Sequence, residues 1–483
     1  MQTLGVVGAG PMGQGIAQVG LTSGLDVVLY DLDRSALEKS ATTIFGFIEK
    51  LEGKGKLQAG ATESARARLV LASGMADFAP CDAVIEAIVE RLEPKQDLFA
   101  SLEQVVSADT LLATNTSSLS VAAIAKKCER KDRVCGLHFF NPVPLMKLVE
   151  VIVAPLTTPD AAERATALTR KLGKVPVTVK DGPGFLVNLQ GRAYTTEGLA
   201  IVQEGVADPA TVDRIMRDGA GFRMGPFELL DLTGIDVNYP VTQFIYEGYQ
   251  HDPRLKTTTL HALMADAGLY GRKSGKGFHD HSPDAPPPPA PPEPSGRVLR
   301  PRFAEPSPHW AALGDVEAGD DVTLVAPVGE DCATVCHRLG LDPRTTVAVD
   351  FTGADRRHLT VMAAVGGSGK ANEVADWLRR LGFAVDVIKD SPGFVLQRIL
   401  AMVANLACEL AQIGVGTPED IDTAMKLAQN YPLGPLEWAE KLGVSTTYEI
   451  MLHLQETTGA DRYRPSLWLR RRALLGLAAH TQD

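Results

Sequence analysis

The stretch Thr3-Leu4-Gly5-Val6-Val7-Gly8-Ala9-Gly10-Pro11-Met12-Gly13-Gln14 decides the fold of the N-terminal third. A short apolar strand runs into three glycines, and a helix is predicted from Gln14 to about Thr22. Gly8 permits the tight turn, Gly10 lets a pyrophosphate approach the backbone, and Gly13 lets helix and strand pack closely. The free N–H groups at the helix start supply partial positive charge for phosphates. Pro11 and Met12 complete the loop. Asp31 ends the second predicted strand, placed to accept hydrogen bonds from an adenosine ribose and to repel a 2′-phosphate. The expected cofactor is therefore NAD rather than NADP.

Outward from this loop the first ~180 residues alternate strand-like and helix-like runs, the α/β pattern. Asp26–Tyr30, Asp82–Ile85 and Thr110–Thr114 read as further strands. Arg34 to about Leu71 is charged, broken by Gly53, Gly55 and Gly60, and reads as a helical hairpin standing off the sheet. From Gly182 to about His279 the pattern is helical. A proline-rich run follows, with four prolines after Ala285, and reads as a semi-rigid linker. Beyond it, Asp321–Val325, Thr346–Asp350 and Leu359–Met362 look like buried strands without a glycine fingerprint, and the last ~95 residues are helical again.

An internal repeat supports this division. Lys180-Asp181-Gly182-Pro183-Gly184-Phe185 returns as Lys389-Asp390-Ser391-Pro392-Gly393-Phe394, and Met224-Gly225-Pro226-Phe227-Glu228 returns as Leu433-Gly434-Pro435-Leu436-Glu437. Both motifs recur 209 residues on, from Asp181 to Asp390 and from Gly225 to Gly434. The predicted architecture is an α/β Rossmann domain (1–182), an all-α domain (183–281), a linker (282–308), a reduced Rossmann-like domain without fingerprint (309–388) and a second all-α copy (389–483).

Leu137-His138-Phe139-Phe140-Asn141-Pro142-Val143-Pro144 leads to Lys147-Leu148-Val149-Glu150. This places a histidine and a glutamate at the ends of an apolar segment folded back by a two-proline turn. If the flanking runs are adjacent strands, the carboxylate reaches the imidazole and orients it as a general base. Taken alone, His138 reads more readily as a core histidine than as a base.

Together, the fingerprint, Ala87-Ile88-Val89-Glu90, Asn115-Thr116-Ser117-Ser118-Leu119, the His138 segment, Glu150 and Gly182-Pro183-Gly184-Phe185-Leu186-Val187-Asn188 resemble the L-3-hydroxyacyl-CoA dehydrogenases. The likeness covers roughly residues 1–280, and the helical part again at 386–480. The tandem arrangement resembles the longer bacterial members, such as those acting on 3-hydroxybutyryl-CoA, or on 3-hydroxyadipyl-CoA in phenylacetate breakdown. The resemblance implies that His138 takes the proton of the 3-hydroxyl, Glu150 holds its ring, and Ser117 and Asn188 bond the substrate. It implies cofactor contacts at Asp31, Glu90, Lys95, Ser117, Asn141 and Lys273, and a coenzyme A contact at Lys54. The family's serine seven residues before Lys54 is Phe47 here. Position 397, matching Asn188, is glutamine, and the second half has no equivalent His–Glu pair, so one active site per chain is expected. Because the shorter members dimerise through the helical domain, the second copy is expected to occupy the partner's place, forming an internal pseudo-dimer in a chain that is itself monomeric or homodimeric.

Composition narrows the alternatives. The 483-residue chain is 45% hydrophobic and 22% charged, ordinary for a soluble globular protein. A formal net charge of −11 argues against nucleic acid or an anionic membrane as the main partner. No apolar run is long enough for a membrane span, and no signal peptide is read. Six sparse cysteines fit reduced thiols in a cytoplasm, with no metal site. Two other readings stand beside the acyl-CoA one: a free β-hydroxyacid dehydrogenase, which would carry a catalytic lysine where this chain has Asn188-Leu189-Gln190-Gly191-Arg192, and a catalytically idle, crystallin-like relative.

Overall fold

The computed structural model describes residues 1–286 and 298–482. Part of the predicted linker, residues 287–297, lies outside the described residues. Two compact units divide the chain: residues 1–189 with 414–429, and residues 190–413 with 430–483.

In the first unit the described residues build an eight-stranded sheet in the order β3-β2-β1-β4-β5-β6-β7-β8. Its strands are β1 (Thr3–Val7), β2 (Asp26–Tyr30), β3 (Leu69–Leu71), β4 (Ala83–Glu86), β5 (Leu111–Thr114), β6 (Val134–Phe139), β7 (Leu148–Val153) and β8 (Val175–Lys180). All neighbours run parallel except β6 and β7. Around them lie α1 (Pro11–Thr22), α2 (Arg34–Gly53), α3 (Ala61–Arg68), α4 (Leu92–Glu103), α5 (Val121–Ile124), α6 (Pro159–Lys171) and the start of α7 (Val187–Gln203). The central strands β4, β5 and β6 are buried on both faces because helices cover both, as parallel sheets require. Leu4, Val6, Ile16, Val27, Leu29, Ile85, Ala113 and Leu137 belong to one buried cluster.

The helical hairpin forms as α2 and α3, with one correction. Leu69–Leu71 is an edge strand pairing with Val27–Leu29, not the end of a helix. Three residues carry too short a periodic signal to announce a strand; tertiary pairing sets it. Arg68 secures the junction by donating to the carbonyls of Leu21 (3.0 Å) and Leu25 (2.8 Å).

The second unit holds most of α7, then α8 (Pro209–Arg214), α9 (Pro226–Thr233), α10 (Ile235–Gly248) and α11 (Thr259–Asp266). A five-stranded sheet follows, in the order β13-β12-β11-β10-β9. Its strands are β9 (Pro301–Phe303), β10 (Val322–Val325), β11 (Thr346–Asp350), β12 (His358–Met362) and β13 (Ala384–Val387), with α12 (Cys332–Leu339) and α13 (Ser368–Arg380) between them. β9 falls inside the segment 282–308 assigned to the linker. Pro301 is tolerated because it begins an edge strand, beside β10. The unit closes with α14 (Leu396–Gln412), α16 (Pro435–Leu442), α17 (Val444–Thr458) and α18 (Leu467–Leu475). α15 (Pro418–Gln429) belongs to the first unit.

The repeated Gly-Pro-x-Glu motif has a physical reading. Gly225 and Gly434 are N-caps of α9 and α16, with proline at the first helical position. Glu228 and Glu437 reach back to accept the cap amides at 3.0 and 2.7 Å. Gly234 and Gly443 end the same helices at φ 89° and 91°, where a side chain would be strained.

Candidate active site

β6 and β7 are antiparallel, and their register sets His138 directly opposite Glu150. Glu150 Oε2 lies 2.6 Å from His138 Nδ1. Its other oxygen, Oε1, accepts the backbone amides of Leu186 (3.0 Å) and Val187 (2.9 Å) at the start of α7. The Gly184-Phe185 turn aims these amides: both residues take positive φ, and Phe185 at 48° is a conformation that non-glycine residues seldom adopt. Burial of the pair is nearly complete, His138 at 6% and Glu150 at 0% exposure. The rings of Phe140 and Phe185 flank the imidazole at 4.5 and 5.9 Å. An ionised carboxylate only accepts, so the bond to Glu150 puts the ring proton on Nδ1 and leaves the Nε2 lone pair for chemistry.

His138 lines a cavity of about 330 Å³ together with Met12, Glu90, Ser117, Asn141 and Asn188. Ala87, Ile88, Asn115, Phe139 and Phe140 complete the lining. It opens at the carboxyl ends of the central strands, where open α/β sheets bind ligands. Asn115 is a site residue that motif reading passed over: its Oδ1 accepts Phe139 N at 2.8 Å and pins the tip of β5 to that of β6. Its signal was its place directly after a strand, beside Thr116 and Ser117.

The nucleotide loop is built as its sequence implies. A Cβ on Gly13 would sit 1.8 Å from the Gly8 carbonyl oxygen, and one on Gly8 would sit 2.4 Å from that of Ala87. At Gly10 the space is open, and as N-cap it offers no side-chain bond to the first amides of α1. A phosphate fits that helix start. Asp31 stands at the end of β2, where it accepts Ala9 N at 2.7 Å and Asp33 N at 2.9 Å.

Glu90 Oε1 accepts Thr116 Oγ1 (2.6 Å), Ser117 N (3.0 Å), Ser118 N (3.1 Å) and Ser118 Oγ (3.0 Å). Burial works against its charge, but the Thr116 bond and the Lys95 ammonium outweigh it and hold the carboxyl below its ordinary range. Lys95 does not line the cavity; it is 1% exposed. Lys54 sits exposed at the end of α2. Lys273 belongs to the second unit, where it pairs with Asp236 at 2.6 Å. All six cysteines are buried, and none is in a disulfide. Among the described residues no His/Cys/Asp/Glu cluster could hold a metal ion, and no helix is long and apolar enough to cross a membrane.

A dinucleotide loop and a histidine–carboxylate pair over a cavity at the strand ends define an NAD-dependent dehydrogenase of alcohol groups. Residues 3–182 match the family model of the 3-hydroxyacyl-CoA dehydrogenase NAD binding domain, and residues 184–281 and 393–482 each match its C-terminal domain. The chain is 38% identical over 475 residues to the 3-hydroxyadipyl-CoA dehydrogenase of Escherichia coli, covering 98% of both chains. It is 40% identical over 291 residues to the human mitochondrial hydroxyacyl-coenzyme A dehydrogenase, covering 57% of this chain and 90% of that one. Among solved structures, a 3-hydroxybutyryl-CoA dehydrogenase from Escherichia coli superposes with a TM-score of 0.89 at 38% identity over 98% of both chains. The chain belongs to the 3-hydroxyacyl-CoA dehydrogenase family. It is an NAD-dependent oxidoreductase that interconverts 3-hydroxyacyl-CoA and 3-ketoacyl-CoA.

Proposed function

We propose that His138 is the general base of this oxidation and Glu150 its orienting partner. His138 Nε2 takes the proton of the 3-hydroxyl, and Glu150 stabilises the imidazolium that forms. NAD, when bound at the Gly8–Gly13 loop, supplies the hydride acceptor. Ser117 and Asn188 bond the substrate oxygen from two sides of the cavity, and the Phe140 and Phe185 rings keep water from the imidazole. Asp31, Glu90 and Asn141 hold the cofactor, and Lys54 meets the coenzyme A. The observation behind this reading is the 2.6 Å His138–Glu150 contact on the wall of the cavity. The variant His138→Gln should lose most turnover while binding NADH as before; wild-type turnover would refute the assignment.

The first acyl chains to test are those named for the full-length relatives, the six-carbon dicarboxylic 3-hydroxyadipyl group and 3-hydroxybutyryl. We place 3-hydroxyadipyl-CoA first because that curated relative spans the whole chain. A kcat/KM for 3-oxoadipyl-CoA below that for acetoacetyl-CoA would reverse the order. The buried thiols, none of them in a disulfide, favour a cytoplasmic enzyme.

We also propose that the two halves form an internal pseudo-dimer, the second sheet standing for the β4–β8 part of the first. Strands β10 to β13 repeat the parallel, antiparallel, parallel sequence of β5 to β8. Reciprocal bonds support this reading. Lys180 N donates to Val415 O at 2.9 Å, and Lys389 N donates to Val206 O at 3.0 Å. Each residue lies 209 positions from its counterpart, so each repeat lends the same carbonyl to the other's sheet, the signature of a two-fold contact. A chain ending at residue 286 should dimerise or aggregate. If it stays monomeric, soluble and fully active, the proposal fails.

A further inference from the structure

Behind the cavity runs a buried chain of charges. Glu86 ends β4 at 0% exposure. Its Oε1 accepts Lys95 Nζ at 2.5 Å and Ile88 N at 2.7 Å, and its Oε2 accepts Thr114 Oγ1 at 2.7 Å. The same Lys95 ammonium lies 3.2 Å from Glu90 Oε2. Glu90 in turn gathers Thr116, Ser117 and Ser118 on its other oxygen. Thr116 Oγ1 closes the turn by accepting Leu119 N at 2.9 Å.

Two facts set the role of Lys95. Its ammonium is out of solvent and already shared between two carboxylates, so it has little left for a ligand. And its bonds point, through Glu90, at the backbone of the turn that brings Ser117 to the cavity. Burying an ammonium is costly unless it is paired, so the arrangement stands only as a unit.

The geometry points to Lys95 and Glu86 as positioning residues that fix Glu90 and, through it, the Ser117 turn. Glu86, absent from the motif reading, is the anchor. Lys95 acts as a strut from that anchor to Glu90 and does not itself meet the cofactor. This rests on the 3-hydroxyacyl-CoA reading of the site, in which Ser117 bonds the substrate oxygen. Loss of the strut should therefore impair turnover more than cofactor binding, and should do nothing further once the Ser117 hydroxyl is gone.

The test is a double-mutant cycle between Lys95→Met and Ser117→Ala, followed with acetoacetyl-CoA and NADH. Lys95→Met alone leaves Glu86 buried and unpaired, so Glu86→Gln/Lys95→Met provides a second background in which both charges are removed together. Thermal melting checks that each variant is folded. The expected result in either folded background is a kcat lowered tenfold or more with a KM within threefold of wild type, and an NADH dissociation constant raised by a smaller factor than kcat falls, through the loosened Glu90. Adding Ser117→Ala should then cost much less than it costs the wild type. A fully additive cycle overturns the proposal, and so does a tenfold weaker NADH affinity at unchanged kcat, which would make Lys95 a cofactor contact. If the acyl-CoA reading itself were at fault, the wild-type enzyme would fail on every 3-ketoacyl-CoA, a result separate from any outcome of the cycle.

Discussion

Two strand ends in this molecule invite comparison. At the end of β6 a histidine faces a glutamate across an antiparallel pair; at the end of β11 an aspartate, Asp350, faces a threonine, Thr360. The first end keeps its chemistry open: the imidazole lines a cavity, and the carboxylate behind it is held by backbone amides. At the second end Asp350 lines a cavity of about 280 Å³, and only one of its carboxylate oxygens is taken up by neighbouring donors. Asp350 Oδ1 accepts Thr352 N, Thr352 Oγ1 and Gln397 Nε2 at 3.0, 2.6 and 3.0 Å. Gln397 stands where the other repeat has Asn188. It also donates to Pro327 O at 3.2 Å and accepts Gly329 N at 2.8 Å. One extra methylene lets this side chain staple neighbouring loops together. The scaffold persists in both places, and only the first carries a histidine–carboxylate pair.

The largest expected difference between the two ends is in turnover. His138→Gln should lower kcat by about 10²–10⁴-fold, the usual worth of a positioned general base. Asp350→Asn, at the equivalent place, should leave kcat within twofold, measured at the NADH absorbance. A comparable loss in both would erase the contrast.

Next comes Arg398, which marks the supporting role of the second half. Its fully buried guanidinium on α14 meets Glu197 of α7, with Glu204 at 2.7 Å and Tyr463 Oη at 2.6 Å. Arg398→Met removes the buried guanidinium that joins Glu197, Glu204 and Tyr463, leaving Glu197 with Arg462 at 2.9 Å and the Tyr463 hydroxyl, and should cost about 3–5 kcal/mol of stability by urea unfolding. The folded fraction should retain its kcat.

Removing the Gln397 staple should be milder. Gln397→Ala leaves the Gly329 amide and one Asp350 contact unmet, a loss of about 1–3 kcal/mol with unchanged turnover. By contrast, Asn188→Ala should lower kcat while leaving unfolding nearly unchanged.

The smallest effect concerns pH. Burial pushes the Asp350 carboxyl above its ordinary value, against the opposing bonds from Thr352 and Gln397. A raised folded-state pKa contributes stability that is present below the unfolded value of 3.8 and is lost as pH rises through the folded value. Asp350→Asn should therefore gain stability relative to wild type as pH climbs from about 4, by unfolding at a series of pH values. A difference independent of pH would show that the aspartate titrates as in the unfolded chain.

Much of this was legible in the sequence, for local reasons. Gly8 and Gly13 announce their turn because only glycine fits against the carbonyls there. The His138–Glu150 pairing was conditional on two adjacent strands, and the β6–β7 register supplies them. The 209-residue repeat was visible because helix caps such as Gly225 and Gly434 are specified by short motifs. What stayed hidden depends on the partner of a residue rather than on its type. Leu69–Leu71 and Pro301–Phe303 are strands only because β2 and β10 lie beside them. Glu86 and Lys95 look like ordinary surface charges until folding buries them together. Residues 414–429 could not be assigned to the first unit from sequence, because they join it through backbone bonds such as that from Lys180 N to Val415 O.

The central claim is that one chain holds one catalytic centre, with the second half as its support. Calorimetric titration of the full chain with NADH tests it most directly. The account predicts one NADH bound per chain, with the stoichiometry unchanged in Asp350→Asn. Two equivalent sites per chain would contradict it.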